Sequence, residues 1–592
     1  MADADSPDGA HPEAGGPGAA GDVPRVEDGP RTQAGRQWRA RRGGEVPAAP
    51  DPAVDRTLAE RGFPHVDQWR MTPVHHRAPE GRKGFDEVAE GYLTDEEVRA
   101  EAARCIMCRH PTCISGCPNN NPIPTWLALV VEGRILDAAV ADYEKDSLAA
   151  CTGRVCNWEE QCEGWCVLNA DGQGVRIGAV ERYIADYAFR HREEFDRLRA
   201  QRAREEKEQG RSSYTRPDVS SYANAMEAYG SAVPGYADER QTSRRLGSAD
   251  VPGYEPEDAP PEDTALDGSR VAVVGAGPAG LACADFLSRR GAEVTVFEAQ
   301  SYPGGLLADG IPEFVLPQAV VDREVDRIAS QGVRFRYGQV MGQNLKLDDL
   351  RREFDAVFVG VGAEVARRLD VAGQEADGIL TAQSFLRAAK RALVPDSGLP
   401  RPTVGRHVLV IGAGNTSMDA ARTSLRLGAE DVTVIYRRIR AESTSRDIEI
   451  DLATEEGVRF EYLVNPVAFL KDDAGRVRAA RLVRMRLEAA PGGRPRPQPI
   501  PGSEYEVRCD MVLLAVGYSV HGLDLGHPEI LNRDGTVHAH GEGGVTDVPG
   551  VFVGGDLVRG AYTVVHAIRD GRLASDAIGH YLLRRRAKSG PA

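Results

Sequence analysis

The sequence predicts an α/β protein, with a helical cysteine-bearing segment followed by two Rossmann-like nucleotide-binding units. Two observations carry this. Eight of the ten cysteines fall between positions 105 and 166. Further on, two apolar strands each run into a glycine-rich turn and a helix, and a third ends in Gly-Gly-Asp. A chain of 592 residues, 41% of them hydrophobic, has room for several domains. Its net charge of −16 counts against nucleic acid as a partner, because phosphate binding needs a basic surface. The start, Met1-Ala2-Asp3-Ala4-Asp5, leads into no apolar run, so no signal peptide is expected. No window reaches the apolar length of a membrane span, and a cytoplasmic protein is the expectation.

Residues 1–85 are rich in Gly, Pro, Ala and charge and are expected to be a disordered tail. Within it, Arg36, Arg39, Arg41 and Arg42 surround Trp38, a pattern that fits a solvated arm. Order is expected over 86–192. Thr94 with Glu97 makes a capping-box pattern, opening a helix that delivers Cys105 and Cys108. The run from Pro124 to Asp142 has helical apolar spacing, and a further helix is expected from Ile177 to about Leu198. Residues 193–268 read as a linker or insertion without periodicity. From 269 the pattern turns to strand, glycine turn and helix, dividing into 269–400, 401–510 and 511–592.

The first cysteine set reads Cys105-x2-Cys108-x4-Cys113-x3-Cys117-Pro118, and the second Cys156-x5-Cys162-x3-Cys166, with Cys151 just ahead. Thiolates hold iron–sulfur clusters, and a Cys-Pro-terminated run often sends its last cysteine to a neighbouring cluster. Zinc fits less well, since structural zinc prefers paired CxxC or Cys/His spacing and only His110 lies at hand. Disulfides fit least, because nothing points to an oxidising compartment. Cys283 and Cys509 stand alone and read as small buried hydrophobes.

The first glycine turn is Gly275-x-Gly277-x-x-Gly280, after the strand Arg270–Val274. Its glycines allow a tight turn and let a pyrophosphate sit on the helix N-terminus. The next strand ends in Glu298, placed to accept from a ribose hydroxyl. The second turn is Gly412-x-Gly414-Asn415-Thr416-Ser417, with Ser417 at the third glycine position. Its following strand ends in Arg437-Arg438 rather than an acid, which favours a 2′-phosphate and hence NADPH, with NADH left open. The third strand reaches Gly555 and Asp556, where backbone can approach a flavin side chain and the carboxylate can accept from its hydroxyls. His566 reads as a packed helix-start histidine.

These residues resemble the small (beta) subunit of bacterial NADPH-dependent glutamate synthase. Relatives of that family include the N-terminal half of dihydropyrimidine dehydrogenase and the large subunit of electron-bifurcating ferredoxin-dependent transhydrogenases. The likeness covers about residues 86–192 and 269–592. It is carried by RCIMCRHPTCISGCPNNNPIP, TGRVCNWEEQCEGWCVLN, IGAVERYIADYAF, VAVVGAGPAGLACADFL, PGGLLADGIPEFVLP and VFVGGDLVRGAYTVVHAI. The resemblance implies a helical double-cluster domain and an FAD domain interrupted by an NAD(P)H domain. It also implies crossed ligation of two [4Fe-4S] clusters, with Cys105, Cys108, Cys113 and Cys166 on one and Cys117, Cys156 and Cys162 on the other. Glu181 stands at the family's eighth-ligand position, with Cys151 as its rival. FAD would be held at Gly275, Gly277, Pro278, Ala279, Gly280, Glu298, Gly305, Leu306, Gly555 and Asp556. The nicotinamide nucleotide would lie at Gly412, Gly414, Asn415, Thr416, Arg437 and Arg438.

The implied function is electron input: NADPH reduces FAD, and the clusters carry electrons to a partner, the large catalytic subunit of glutamate synthase. No acid–base residue is needed for hydride transfer and none is assigned. The competing readings are the electron-input part of a dihydropyrimidine dehydrogenase, a ferredoxin:NAD(P)⁺ reductase, or a redox-sensing scaffold. Two departures from the family pattern bear on the nicotinamide site. Asn415 stands where relatives commonly have Asp, and Ser443-Thr444 where many have Met-Pro.

Overall fold

The computed structural model describes residues 71–108, 111–209, 266–363, 365–395, 397–490, 493–520 and 523–589. Most of the expected tail (1–70, with Trp38 and its arginines), His110 and most of the expected linker (210–265) lie outside the described residues.

Seven helices make the cysteine-bearing domain: α1 (Asp95–Ala102), α2 (Thr112–Gly116), α3 (Ile123–Val131), α4 (Ile135–Tyr143), α5 (Ala149–Val155), α6 (Ile177–Arg190) and α7 (Arg192–Gln209). The capping box forms as expected: the Glu97 backbone N–H donates to Thr94 Oγ1 at 3.2 Å, and the Thr94 N–H donates to the Glu97 carboxylate at 3.2 Å. The single helix expected over Pro124 to Asp142 is two. Gly133 adopts φ +77° and ends α3, a left-handed conformation that glycine takes without steric cost.

The first Rossmann unit contains β1 (Arg270–Val274), α8 (Pro278–Arg289), β2 (Glu293–Phe297), α9 (Gln318–Ala329), β3 (Arg334–Arg336) and β4 (Ala356–Val359). The second contains β5 (Ile379–Thr381), α10 (Ala382–Arg391), β6 (His407–Ile411), α11 (Asn415–Arg426), β7 (Asp431–Tyr436), α12 (Asp447–Glu455), β8 (Arg459–Tyr462) and β9 (Met511–Leu514). The chain then returns to the first sheet with β10 (Val551–Val553) and closes with α13 (Val564–Ser589). Both sheets are parallel, in order β10-β4-β1-β2-β3 and β8-β7-β6-β9-β5. Their inner strands are rich in valine and other aliphatic residues and mostly buried on both faces, as a parallel sheet covered by helices requires. In each sheet the glycine turn follows the strand where the order reverses, which opens the ligand crevice there.

Four boundaries differ from expectation. Residues 71–85 are ordered: His75–His76 pairs with Ala89–Gly91, Phe85 lies 6.4 Å from the ring of Phe314, and Arg82 ion-pairs with Glu455 at 2.7 Å. A few apolar side chains suffice because they land on a core already formed by Phe314 and Leu452. Helix α7 runs on to Gln209, since Phe195 buries against Tyr143 and Arg202 pairs with Glu144 at 2.8 Å. The second unit starts before 401 and ends after 510, because the short strand β5 pairs with β9, and β9 pairs with β6. Such non-local pairing leaves no mark in local sequence.

The cysteine domain and the first Rossmann unit share one hydrophobic core, running from Val98 through Leu129 and Ile184 to Leu281 and Ile568. A buried polar clamp crosses the same boundary. Glu324 on α9 accepts from Tyr143 Oη at 2.6 Å and from the Ala150 N–H at 3.1 Å. Arg327, one turn on, pairs with Glu324 and with Asp285 of α8, both at 3.0 Å, and donates to the Ser147 carbonyl. Lys390 on α10 joins the two Rossmann units, donating to the Leu307 and Leu316 carbonyls at 3.0 and 2.8 Å. Among the described residues no helix is long and apolar enough to cross a membrane.

Candidate redox site

The two cysteine sets interleave in space. Cys105 and Cys108 follow α1, Cys113 lies in α2, and Cys166 comes from the second set, yet all four line one cavity floored by Leu127, Leu168 and Ile177. The remaining cysteines of both sets gather elsewhere. Cys162 has Cys117, Glu181 and Cys156 among its electrostatic neighbours, and Cys156 has Glu181 and Cys117. Cys117 closes the first run, Cys156 caps α5, and Glu181 projects from the first half of α6. Cys151 lies apart: it is fully buried within α5, and its electrostatic neighbours are Glu324, Arg154, Asp146 and Lys390.

Burial pushes the Cys105 and Cys117 thiols up to about 12, and Cys113, Cys156 and Cys162 are driven well up for the same reason. Burial likewise raises Glu181, with Asp142 and Asp146 adding to it. Such donors ionise when a metal supplies the compensating charge. Their spacing differs from what a single zinc ion draws together. Four thiolates at about 2.3 Å from one metal stand only ~3.8 Å apart. Among the described residues, the ligand atoms that approach within 4.8 Å in threes belong to the exposed group His538, His540 and Asp547. Among the described residues no three cysteine sulfurs form such a group.

The flavin-type residues converge on the β1–α8 turn. Gly275 has φ +98°, and a Cβ there would lie 2.5 Å from the Gly360 carbonyl oxygen. A Cβ on Gly280 would lie 1.9 Å from Gly275 O, which fixes how closely α8 packs on the turn. Gly277 and Pro278 open α8, and the space beside Gly277 is clear on the side a Cβ would take. Gly305, just before Leu306, comes within 3.0 Å of Gly277 Cα, and Gly555 within 3.0 Å of the Ala279 methyl, both measured from the Cβ position. The Glu298 carboxylate accepts from the Ala276 and Gln300 N–H groups at 2.7 and 2.8 Å, bracing the turn from the end of β2. Asp556 accepts from the Tyr562 N–H at 3.2 Å, and burial raises its pKa to about 6. Sequence reading missed Asp570 on α13, which accepts from the Gly555 N–H at 2.8 Å and pairs with Arg559 at 2.6 Å. Nothing in the local pattern around Asp570 marks it, because its partner is fifteen residues away in another element. Cys283 and Cys509 are buried, as expected. His566 sits in the first turn of α13, its ring bonded to Thr563 Oγ1 at 2.6 Å.

The nicotinamide-type residues gather at the β6–α11 turn. Gly412 has φ +127° against the Ala515 carbonyl, and Ser417 is fully buried beneath it. The Asn415 side-chain oxygen accepts from Ser445 Oγ at 2.9 Å and from the Arg446 N–H at 3.1 Å. Thr416 lies beside the Tyr518 hydroxyl. The two arginines part company. Arg437 is exposed at the end of β7 with no ion pair among the described residues, whereas Arg438 pairs with Glu442 at 3.1 Å and donates to the Pro495 carbonyl.

Two Rossmann turns, one of them joined to a third glycine contact, with the cysteine domain packed on the first unit, define a nucleotide-dependent flavin-type oxidoreductase. Family models agree along the chain. Residues 81–193 match "Dihydroprymidine dehydrogenase domain II, 4Fe-4S cluster", and residues 269–571 match "Pyridine nucleotide-disulphide oxidoreductase". The glutamate synthase [NADPH] small chain of Escherichia coli is 34% identical over 536 residues, covering 89% of this chain and 100% of its own. The Mycobacterium tuberculosis glutamate synthase [NADPH] small chain is 33% identical over 88% of this chain and 96% of its own. This chain belongs to the glutamate synthase small-chain family. The beta subunit of an NADP(+)-dependent formate dehydrogenase from Moorella thermoacetica is also 34% identical, over 79% of this chain and 60% of its own length.

Proposed function

We propose that this chain is the electron-input subunit of a glutamate synthase, drawing electrons from NADPH and delivering them through FAD and two [4Fe-4S] clusters to a separate large catalytic subunit. The observation that supports this most is the spatial crossing of the cysteine sets, with Cys166 joining Cys105, Cys108 and Cys113 in one cavity. Cys117, Cys156, Cys162 and Glu181 are then the donors of the second cluster, and Cys151 is structural. When bound, the flavin and the clusters supply the conversion of a two-electron donor into single electrons.

The protein's part is to hold and to orient. The β1–α8 turn directs backbone N–H groups and a helix N-terminus at a pyrophosphate, and Asp556 accepts from a sugar-chain hydroxyl. The β6–α11 turn offers the same arrangement to NADPH, with Arg437 free to reach its 2′-phosphate. Arg438, committed to Glu442, adds positive potential rather than a direct contact. The shared core and the Glu324–Arg327 clamp keep the cysteine domain at a fixed distance from the flavin turn. A carboxylate in place of one thiolate would exchange a soft sulfur donor for a hard oxygen donor of the same charge, and so would shift the potential of a bound cluster.

The test is anaerobic purification of the native complex, iron and sulfide analysis, and NADPH titration. About eight irons, flavin bleaching by NADPH and co-purification of an amidotransferase-bearing large subunit are expected. Zinc in place of iron, or flavin that stays oxidised, overturns the reading. The likeness to the formate dehydrogenase beta subunit supports a second reading, in which the partner is another oxidoreductase, and the co-purifying chain separates the two.

A further inference from the structure

The loop Ser443–Asp447 has one end on the nicotinamide-type turn and the other on the second cysteine cage. At the turn, Ser443 Oγ donates to the Ala413 carbonyl at 2.5 Å, and Thr444 Oγ1 lies 3.2 Å from the Cβ position of Gly414. Asn415, the first residue of α11, holds both Ser445 Oγ and the Arg446 N–H on its side-chain oxygen. At the cage, the Arg446 guanidinium donates to the carbonyls of Arg154 and Cys156 at 3.2 and 3.3 Å. The guanidinium carbon also lies 5.0 Å from the Trp158 ring centre. Glu159 accepts from the Asp447 N–H at 2.9 Å. Trp158 in turn packs on Gly178, where a Cβ would lie 2.1 Å from the indole, three residues before Glu181 on α6. Arg446 is 5% exposed and pairs with Glu449, itself 6% exposed, so its charge acts in a poorly screened setting.

One buried cation therefore touches the backbone of Cys156 while its own backbone hangs from the residue at which a dinucleotide phosphate would dock. We propose that Arg446 is a positioning residue that couples dinucleotide binding at the β6–α11 turn to the electron affinity of the group held by Cys117, Cys156, Cys162 and Glu181. This rests on the function proposed above. A dinucleotide that engages Asn415 and Thr444 shifts the loop, and the guanidinium's approach to Cys156 shifts with it. A cation nearer the cage favours the reduced, more negative state. By linkage, reduction of the cage changes dinucleotide affinity by the same factor.

The probe is 2′-phospho-ADP-ribose, which carries the pyrophosphate and the 2′-phosphate but no nicotinamide and so cannot exchange a hydride. EPR-monitored redox titrations of the holoprotein are run with and without it. The cluster signal altered by Glu181→Gln identifies the second cage. In the unsubstituted protein the probe is expected to move that signal's reduction equilibrium about tenfold, or ~59 mV for one electron. The other signal stays where it was. Arg446→Gln abolishes the shift, and Arg446→Lys, which keeps the charge but loses the paired donation, restores part of it. Where Arg446→Gln does not fold, the unsubstituted protein alone decides: probe affinity must differ by about the same factor between oxidised and dithionite-reduced forms. A protein that holds both clusters and binds the probe, yet shows equal affinity in the two redox states, overturns the coupling. So does a shift that Arg446→Gln leaves intact. A protein with no clusters or no probe binding overturns the functional reading and the coupling with it.

Discussion

Arg327→Met tests whether the cysteine domain is held rigidly on the flavin-type unit. The substitution keeps an apolar stem in a site that is 1% exposed but removes a guanidinium serving three elements. Asp285 on α8 and Glu324 on α9 each lose a partner at 3.0 Å, and the Ser147 carbonyl at the entrance to α5 loses its donor. Breaking a buried pair from one side costs about 3–5 kcal/mol because it strands the other charge. Asp285 keeps Arg289 and the Gln331 amide at 2.7 Å, so the loss belongs at the lower end, ~3 kcal/mol.

That is about a hundredfold in the opening equilibrium between the domains. Hydrogen exchange reports it most directly. Amides of α5, beginning with Ala150, should exchange about a hundredfold faster wherever exchange passes through domain separation. For a unit of 150–250 residues, the apparent melting temperature falls by roughly 6–12 °C. Glu324→Gln added to Arg327→Met removes the stranded carboxylate and recovers part of the loss. The acid side gives a further check. Burial opposes the Asp285 carboxylate, but Arg289 and Arg327 outweigh it and hold its pKa well below the ordinary range. Its stabilising contribution is thus full above the unfolded value of about 3.9 and is lost as pH falls below that, less steeply in the variant. An Arg327→Met protein that melts and exchanges like the parent would refute the clamp.

Gly280→Ala sets a Cβ 1.9 Å from a backbone carbonyl, so the protein is expected to purify with little bound flavin, read from its visible absorbance. Arg437→Ser should raise KM for NADPH at least tenfold, the loss of one charge-assisted contact of ~1.5–3 kcal/mol, while KM for NADH stays level. Arg438→Ser should change the ratio of the two less, because Glu442 already occupies that side chain. Ser417→Ala should be neutral or stabilise by up to ~1 kcal/mol in thermal melts, since the hydroxyl is buried with no hydrogen-bond partner among the described residues. Burial lifts Asp556 to about 6, so its carboxylate is present above that pH and protonated below it. Flavin affinity of the apoprotein should therefore fall roughly tenfold per pH unit below about 6, whereas the apoprotein itself gains stability from this group as pH drops from 6 towards 4.

Much of this protein is written locally. The Thr94–Glu97 capping box, the buried valine strands and the glycine spacings are short-range signals, and each appears in the structure where the sequence puts it. So does the burial of Cys283 and Cys509. Cysteine spacing points to a cluster-type pattern over paired zinc sites, because it reflects what a thiolate cage needs from one stretch of chain. Other features depend on elements distant in sequence. Pairing of β5 with β9 moved both edges of the second Rossmann unit, and Phe85 found order only because Phe314 was there to receive it. Arg437 and Arg438 are indistinguishable as neighbours in sequence, and only Glu442 and Pro495 separate them. The same holds for Cys151 and Glu181, whose surroundings come from α4, α9 and the two cysteine runs. Backbone conformation and burial follow from a residue and its near neighbours. Which charge meets which cavity is set by packing between elements hundreds of residues apart, as Arg446 and Cys156 illustrate.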